Sequence, residues 1–341
     1  MKKERLLYAS PMRPRQSGVS DYSEHLVYGL KEHFDLTLLV DSRDLENRRL
    51  ANDFGIKVYG FDEIDFETYD HVLYNIGNNP WFHSYIYHAF LKHPGPVILH
   101  DFVLYFLAVG YYQDQPAFYA KLYEIGGAEA VVAVKETVKT KGDPLLFSNP
   151  EEIPLNSELL RLAPLLFVHS DDSRARVLAA QPQAAVHKIE MIDIGRPEAS
   201  LSTDTGIDGI APQAFVIASF GMIAPTKQNH VVCRALPALS KQSPRDICYV
   251  MVGEGNHADS YLGQRILKTG FLPADRYEAV LRRADLVANL RSPSMGETSI
   301  SLIHAMSAGN PCVVSDLAWV SELPDDAVIK IGTADPEAEL T

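Results

Sequence analysis

The sequence has 341 residues, of which 46% are hydrophobic and 22% charged, ordinary values for a globular protein that is long enough for two domains. Its formal net charge of -13 argues against nucleic acid, or an anionic membrane surface, as the main partner. The three cysteines form no C-x-x-C pair, so the sequence predicts neither a disulfide framework nor a cysteine-ligated metal site.

The apolar runs of the chain predict a cytoplasmic protein. Only a brief apolar stretch precedes Pro11, unlike the longer core of a secretory signal. The longest apolar run, residues 102–112, is far shorter than the roughly 20 residues that cross a bilayer. We therefore expect no membrane span, and peripheral contact with the inner face of a membrane stays open.

Short apolar runs and amphipathic stretches alternate along the chain. In the first half they predict strands at 5–10, 35–40, 71–76, 96–101 and 165–170, with helices over 23–34 and 173–181. After a polar interval at 196–213, they predict strands at 214–221, 247–255, 286–291 and 311–316, with helices near 228–240, 274–284 and 298–308. Such alternation predicts an α/β fold: two doubly wound domains, each a parallel sheet covered on both faces, with a cleft between them.

Four glycine-bearing loops of the second half have the position of loops that lead into helix N-termini, at 220–228, 252–256, 269–275 and from 292 onwards. In open α/β sheets ligands bind at the carboxyl ends of the strands, and glycine lets backbone N–H groups approach an anion closely. A helix N-terminus adds about half a positive charge. Each loop alone is a common turn, but four in succession favour a phosphate-binding edge.

Three charged residues in these loops are candidates for a diphosphate site. Lys227 stands at a helix start, where the dipole favours anions, so either a bound phosphate or simple solvation accounts for it. Arg291 could donate two hydrogen bonds to phosphate oxygens or form a surface salt bridge. Glu297 could accept sugar hydroxyls or merely stabilise the first turn of its helix, whose backbone N–H groups at 298–300 would face the donor.

The order of these segments resembles glycosyltransferase family 4, whose members are retaining enzymes of the GT-B fold. The segment at 17–23, SGVSDYS, resembles the first glycine loop of the family, and 74–87 and 98–104 resemble the next two strand ends of its acceptor domain. The segment FGMIAPTKQ at 220–228 resembles its Gly-Arg…Lys loop, and 270–299 resembles the run into its carboxylate-bearing helix. The resemblance implies two Rossmann-like domains: an acceptor-binding domain over 1–195 and a nucleotide-sugar-binding domain over 196–341. We expect the latter to lack its last elements.

The resemblance also implies roles for particular residues. The catalytic positions are His100, Lys227 and Glu297. The donor-binding positions are Gly18, Gly221, Lys227, Gly253, Phe271, Leu272, Arg291, Glu297, Thr298, Ser299 and Ile300. The positions on the acceptor or sugar side are Asp21, Asn75, Gly77 and Asn78.

Plainer explanations stand beside several of these roles. His100 would contact the transferred sugar, but it could be an ordinary turn histidine, as we expect for His169. Asp21 is most simply an N-cap, and the residues at 75–78 could form a plain turn.

Two departures from the family pattern stand out. Met222 follows the loop glycine where the family carries arginine, and Arg291 could replace the missing charge. His304 stands where the second of two spaced glutamates is expected, and Gly296 where the first is expected, with Glu297 displaced by one residue.

The resemblance predicts a glycosyltransferase that moves a hexose, with UDP-glucose as the expected donor, to a glycan or lipid-linked acceptor in exopolysaccharide synthesis. The chain has no Asp-x-Asp, H-E-x-x-H, G-x-G-x-x-G or G-K-[ST] motif, so we expect a metal-independent enzyme without a cofactor other than its donor substrate. A sugar-nucleotide epimerase of the same fold is one alternative. A non-catalytic subunit that binds a glycan or a nucleotide sugar is another.

Overall fold

The computed structural model describes residues 2–45, 49–191 and 205–341. The chain forms two compact units: unit 1 contains Met1–Glu190 and Met295–Thr298, and unit 2 contains Met191–Ser294 and Ser299–Thr341. The predicted domain boundary between 195 and 196 lies outside the described residues, as does the first part of the polar interval, 196–204.

Unit 1 is built around a parallel sheet that, in the described part of the chain, has seven strands in the order β3-β2-β1-β4-β5-β6-β7. The strands are β1 (Arg5–Ala9), β2 (Asp35–Leu39), β3 (Lys57–Tyr59), β4 (His71–Ile76), β5 (Val97–Leu99), β6 (Leu166–Val168) and β7 (Val186–Lys188). The helices are α1 (Gly18–His33), α2 (Arg49–Phe54), α3 (Pro80–Lys92), α4 (Tyr105–Tyr112), α5 (Phe118–Lys141), α6 (Ser157–Leu162) and α7 (Asp171–Ala180).

Successive residues of β1 show why the strands of this sheet are continuous apolar runs in the sequence. Leu6 and Tyr8 pack with Val27 of α1 on one face of the sheet, and Leu7 and Ala9 belong to the larger core on the other face. Because both faces are covered, most positions of a central strand are apolar. The apolar stretch at 102–112 likewise becomes the buried helix α4.

Helix α1 begins at Gly18, and its N-cap is Ser17, whose side chain accepts a hydrogen bond from the Ser20 backbone N–H. Ser17 has the extended backbone that an N-cap requires. The expectation that Asp21 is the cap is therefore wrong, since Asp21 lies within the first helical turn and pairs with Arg13, whose Nη2 is 2.6 Å from its Oδ1.

A buried carboxylate joins four helices of unit 1. Glu158 on α6 accepts hydrogen bonds from the hydroxyls of Tyr87 (2.8 Å) and Tyr112 (2.6 Å), and it forms an ion pair with Lys121 of α5. Burial raises the pKa of this carboxyl, but the hydrogen bonds from Lys121 and the tyrosines outweigh it and leave the pKa below its usual value. The network ties α3, α4, α5 and α6 together.

Unit 2 contains a parallel sheet with the order β10-β9-β8-β11-β12-β13 within the described residues. Its strands are β8 (Phe215–Phe220), β9 (Ile247–Val252), β10 (Ile266–Gly270), β11 (Leu286–Asn289), β12 (Cys312–Ser315) and β13 (Ile329–Ile331). Its helices are α8 (Asn229–Gln242), α9 (Ala274–Arg283), α10 (Ile300–Ser307) and α11 (Pro336–Leu340). The prediction of an α/β fold with two parallel sheets is confirmed.

Three further properties of the chain follow from the described residues. The cysteines Cys233, Cys248 and Cys312 are free and buried, and all three belong to unit 2. In the described parts of both units, no helix has the length and apolarity needed to traverse a bilayer. Nor do three or more His, Cys, Asp or Glu side chains there come together as metal ligands.

Candidate functional site

The loops that carry the predicted donor-binding residues lie at the carboxyl edge of the unit 2 sheet. The strand order reverses between β8 and β11, and ligands of open α/β sheets bind at such a switch point. Gly221 directly follows β8, and Arg291 lies two residues beyond β11. Gly253 and Phe271 directly follow β9 and β10. The parallel sheet therefore brings these four predicted positions to one edge.

The first two loops are in direct backbone contact. Gly221 N donates to Val252 O at 2.9 Å, and Ile223 N donates to Glu254 O at 2.6 Å. A Cβ on Gly253, whose φ is +152°, would lie 1.9 Å from the carbonyl oxygen of Gly221. No side chain fits in that space, so glycine at this position is a packing requirement of the loop pair.

The third loop is tied to the second. Gly253 and Gly270 form an isolated antiparallel bridge, and the backbone N–H of Phe271 donates to Glu254 Oε1 at 3.1 Å. Because that N–H is already used, Phe271, which is 54% exposed, has its ring rather than its amide to offer a ligand. Leu272 packs against the unit 2 core.

Lys227 and Arg291 lie on two loops that are hydrogen-bonded to each other. Lys227 ends a short 3-10 turn, Pro225–Lys227, directly before α8. Ser292 N donates to Thr226 O at 3.0 Å, and the Gln228 side chain donates to Ser292 O at 3.2 Å. The structure thus brings together two predicted phosphate-binding cations at neighbouring loops of one sheet edge.

Arg291 is buried, with only 7% of its surface exposed. Its Nη2 donates to Ser299 Oγ at 2.8 Å, and its backbone N–H donates to Ser315 Oγ at 3.0 Å. Ser299 is also the N-cap of α10, where its side chain accepts from the Leu302 backbone N–H. Arg291 is therefore not a surface residue, because its guanidinium is held inside unit 2 beside a helix N-terminus.

The four residues Met295–Thr298 belong to unit 1. Glu297 Oε2 accepts from the Met295 backbone N–H at 2.8 Å, so its carboxylate closes a tight turn. Gly296 has a φ of +81°, and a Cβ on it would lie 2.5 Å from the Cβ of Phe102. That contact gives a physical reason why a glutamate could not occupy this position here.

The division of residues 295–300 between the two units corrects the expectation for the start of α10. Glu297 is not a first-turn acid, because α10 begins at Ile300 and Glu297 lies three residues before it. Glu297 and Thr298 belong to unit 1, whereas Ser299 and Ile300 belong to unit 2. Capping by Ser299 confirms that the polar start of this helix serves a capping role. His304, in the place of the second glutamate, lies on α10 with its ring centroid 6.1 Å from that of Tyr277.

In unit 1, Asn75 organises a buried polar cluster at the end of β4. It has no exposed surface, and its Nδ2 lies within hydrogen-bonding distance of Tyr8 OH (2.7 Å), Ser10 Oγ (3.1 Å) and Ser23 Oγ (2.7 Å). At the other end of the amide, Oδ1 faces His100 Nε2, to which it is hydrogen-bonded. Burial, then the neighbouring His169 and His83, hold the pKa of His100 well below its ordinary value, so this ring is neutral near pH 7.

The remaining predicted residues of unit 1 serve its local structure. The Asn78 side-chain oxygen accepts from Phe106 N (3.0 Å) and Leu107 N (3.3 Å), at the start of α4. The Asn78 backbone N–H donates to Asp101 Oδ2 at 2.7 Å. A Cβ on Gly77 would lie 3.0 Å from the same oxygen. Gly18, the first residue of α1, is exposed.

Sequence reasoning gave too little weight to His169 and passed over Tyr22. The two histidine rings have centroids 5.1 Å apart, and Tyr22 lies edge-on to both, at 5.1 Å from His100 and 5.2 Å from His169. Burial lowers the pKa of His169 to about 4. The strand register, which places both histidines one residue beyond neighbouring strands, was the signal that could have found this pair.

Comparison with known proteins agrees with this geometry. Residues 214–339 match the family model of glycosyl transferases group 1. This segment is similar to the group 1 glycosyl transferase domain. It contains every predicted donor-binding residue except Gly18. No curated protein matches the chain.

Solved structures extend the likeness beyond the group 1 domain to nearly the whole chain. HepE of Anabaena in complex with UDP has a TM-score of 0.57 at 15% identity, with 98% of this chain and 87% of that chain covered. WaaG, described as a glycosyltransferase involved in lipopolysaccharide biosynthesis, has 0.57 at 12%, covering 98% and 88%. Sucrose-phosphate synthase from Thermosynechococcus elongatus has 0.55 at 12%, covering 99% and 88%. The predicted resemblance to GT-B glycosyltransferases is thus confirmed at the level of the fold, and family 4 is compatible with it.

Proposed function

We propose that this protein is a retaining glycosyltransferase that transfers glucose from UDP-glucose to a glycan or lipid-linked acceptor. The observation that supports this most is the hydrogen-bonded pair of loops carrying Lys227 and Arg291. They lie at the switch point of the unit 2 sheet, next to the N-termini of α8 and α10. Two cations and two helix N-termini at one edge match the charge of a diphosphate.

In this proposal the chain itself stabilises the leaving group. As the bond between sugar and diphosphate breaks, negative charge grows on the phosphate oxygens, and Lys227 and Arg291 neutralise it. Among the described residues we assign no side chain as a nucleophile, and we propose that retention follows a front-face route in which departure of the diphosphate leads. A leaving-group oxygen then takes the proton of the acceptor hydroxyl. The reaction proposed here needs no metal ion, since these cations supply the charge.

Contacts to the two ends of the donor complete the proposal. The exposed ring of Phe271 offers an apolar face for the uracil base. Neutral His100, held by Asn75, contacts the transferred hexose. UDP and glucose are proposed because HepE is described as a complex with UDP and glucose, at a TM-score of 0.59 and 15% identity.

The proposal extends to the setting of the reaction. WaaG is described as acting in lipopolysaccharide biosynthesis, which favours a polysaccharide product, and we propose exopolysaccharide assembly. Three free cysteines favour a reducing, cytoplasmic location. A lipid-linked acceptor would bring the protein to the inner membrane face as a peripheral partner.

Ligand-dependent stability and UDP release test the function together. At a hundredfold excess over their dissociation constants, UDP and UDP-glucose should raise the free energy of unfolding by about 2.7 kcal/mol. NAD and ATP at the same concentrations should raise it less. UDP release should then depend on an added glycan acceptor. Equal protection by NAD, or no protection by any UDP compound, contradicts the proposal.

The same experiment separates the two alternatives. Release of UDP without any acceptor, accompanied by a free sugar product, identifies an epimerase. Binding of UDP-glucose without turnover identifies a non-catalytic subunit, an outcome that the replaced glutamates at Gly296 and His304 make worth testing. His100→Ala should lower turnover much more than UDP affinity, because its proposed partner is the sugar.

A further inference from the structure

His169 and His100 occupy equivalent positions on two neighbouring parallel strands. β5 pairs with β6 in a register that joins Val97 to Leu166 and Ile98 to Phe167. Continued by two residues, this register sets His100 opposite His169, each one residue beyond the carboxyl end of its strand. The sheet therefore presents two histidines side by side at the edge where α/β proteins bind ligands.

One nitrogen of each ring is tied to an oxygen that can only accept a hydrogen bond. His100 Nε2 faces the Asn75 side-chain oxygen, and the amide nitrogen of Asn75 faces three hydroxyl groups. His169 Nδ1 lies 3.1 Å from the backbone oxygen of Ile189. These two nitrogens must carry the protons, so the other nitrogen of each neutral ring carries a lone pair.

The lone pair of His169 is unused. Its Nε2 is buried, and among the described residues it has no hydrogen-bond partner. Most buried polar atoms are paired, so an orphaned acceptor on a side chain that is only 7% exposed needs a reason. Tyr22 packs edge-on against both rings and prevents them from turning freely.

A hydroxyl group is the chemistry that fits this acceptor. The ring is neutral, so it does not attract a phosphate as a charged histidine would, and an orphaned lone pair requires a donor. Sugar hydroxyls are donors, and the neighbouring His100 is already proposed to face the hexose. We propose that His169 is a second sugar-binding residue, whose Nε2 accepts a hydrogen bond from one hydroxyl of the transferred hexose.

This inference rests on the proposed function and adds a source of specificity to it. With His100 and His169 5.1 Å apart, the site could engage two hydroxyls of one sugar ring. A hexose that lacks or inverts the hydroxyl facing His169 leaves a buried acceptor unpaired, which discriminates against it.

Two variants separate hydrogen bonding from packing. His169→Phe keeps a ring against Tyr22 and His100 but has no lone pair. His169→Gln is the matched control, since its amide oxygen can lie near the position of Nε2. Calorimetry with UDP, UDP-glucose, UDP-galactose and UDP-N-acetylglucosamine gives dissociation constants for the full-length wild type and both variants. Circular dichroism checks that both variants fold.

We expect UDP to bind all three proteins equally. The preferred UDP-hexose should bind His169→Phe about two- to tenfold more weakly than wild type, and His169→Gln should recover most of that loss. Deoxy analogues of this donor identify the hydroxyl, because the analogue that lacks it is weakened in wild type but loses nothing further in His169→Phe.

Two outcomes would overturn the inference in distinguishable ways. In the first outcome, wild type binds UDP and UDP-hexoses, but the ratio of their dissociation constants is the same in His169→Phe, and the losses for every deoxy analogue are additive. His169 then only packs or holds a water molecule. If wild type binds neither UDP nor any UDP-hexose, the proposed function fails first. If neither variant folds, measurement of the deoxy analogues on His169→Asn, whose shorter amide falls short of Nε2, takes their place, and unchanged ratios there count against the inference.

Discussion

The contact between Gly253 and Gly221 gives a sharp test of the donor edge. In Gly253→Ala the new Cβ begins 1.9 Å from the Gly221 carbonyl oxygen and must retreat to roughly 3.5 Å, so the two loops must part by about 1.6 Å. That separation breaks or stretches the hydrogen bonds from Gly221 to Val252 and from Ile223 to Glu254.

The cost can be worked from these parts. Each of the two hydrogen bonds contributes about 1 kcal/mol, and an alanine held at a φ of +152° adds about 1–3 kcal/mol of backbone strain. Gly253→Ala should therefore lower the free energy of unfolding of unit 2 by about 3–5 kcal/mol. UDP affinity should fall as well, because the first two loops no longer keep their spacing.

Two other glycines of unit 2 are matched controls. A Cβ on Gly221 meets nothing within 4 Å, but the φ of +109° is strained, so Gly221→Ala should cost only about 1–3 kcal/mol. Gly263 has open space and no positive φ, so Gly263→Ala should stay within about 0.5 kcal/mol of wild type. Urea unfolding followed by circular dichroism gives the order. Equal destabilisation by Gly253→Ala and Gly221→Ala would refute the steric argument.

Three other predictions follow from the described contacts. Lys227→Ala should lower turnover about a hundred- to a thousandfold with folding intact, which single-turnover kinetics checks; near-normal turnover would remove the proposed phosphate site. Burial lowers the pKa of His83 and His169 to about 4, so their contribution to stability is complete above the unfolded value near 6.5 and is lost as the pH falls towards 4. Each should cost about 1 kcal/mol between pH 7.5 and 5.5 in urea unfolding, and a flat profile would contradict this. Glu158→Gln should destabilise unit 1 by about 3 kcal/mol. This value is near the lower end for a buried ion pair, because Lys121 is 21% exposed. An unchanged unfolding midpoint would mean that the network is dispensable.

The sequence was most informative where strands are covered on both faces. The central strands were found because burial on two sides leaves an unbroken apolar run, as in the stretch around Leu7. The strands missing from those predicted from apolar runs, β3, β7, β10 and β13, all lie at sheet edges. An edge strand such as Lys57–Tyr59 is short and partly exposed, so its pattern does not differ from that of a turn.

The site was predicted less well because its arrangement depends on distant contacts. Local sequence correctly placed glycine loops after strands, but it could not show that Arg291 is buried beside Ser299. Gly296 and Glu297 look like the start of a helix, yet contact with Phe102 in unit 1 takes them out of it. His169 lies beside His100 because β5 pairs with β6, and the paired residues of these two strands are 69 positions apart in the sequence.

All three cysteines lie in unit 2, so their reactivity measures local opening of that unit. Burial raises the pKa of the thiols of Cys233 and Cys312 to about 11, and it also raises that of Cys248, so none forms a reactive thiolate while unit 2 stays closed. Alkylation rates under native conditions therefore measure how often unit 2 opens and are blind to fluctuations of unit 1. Slower alkylation in the presence of a nucleotide would locate its stabilising effect in one half of the molecule without any engineered label.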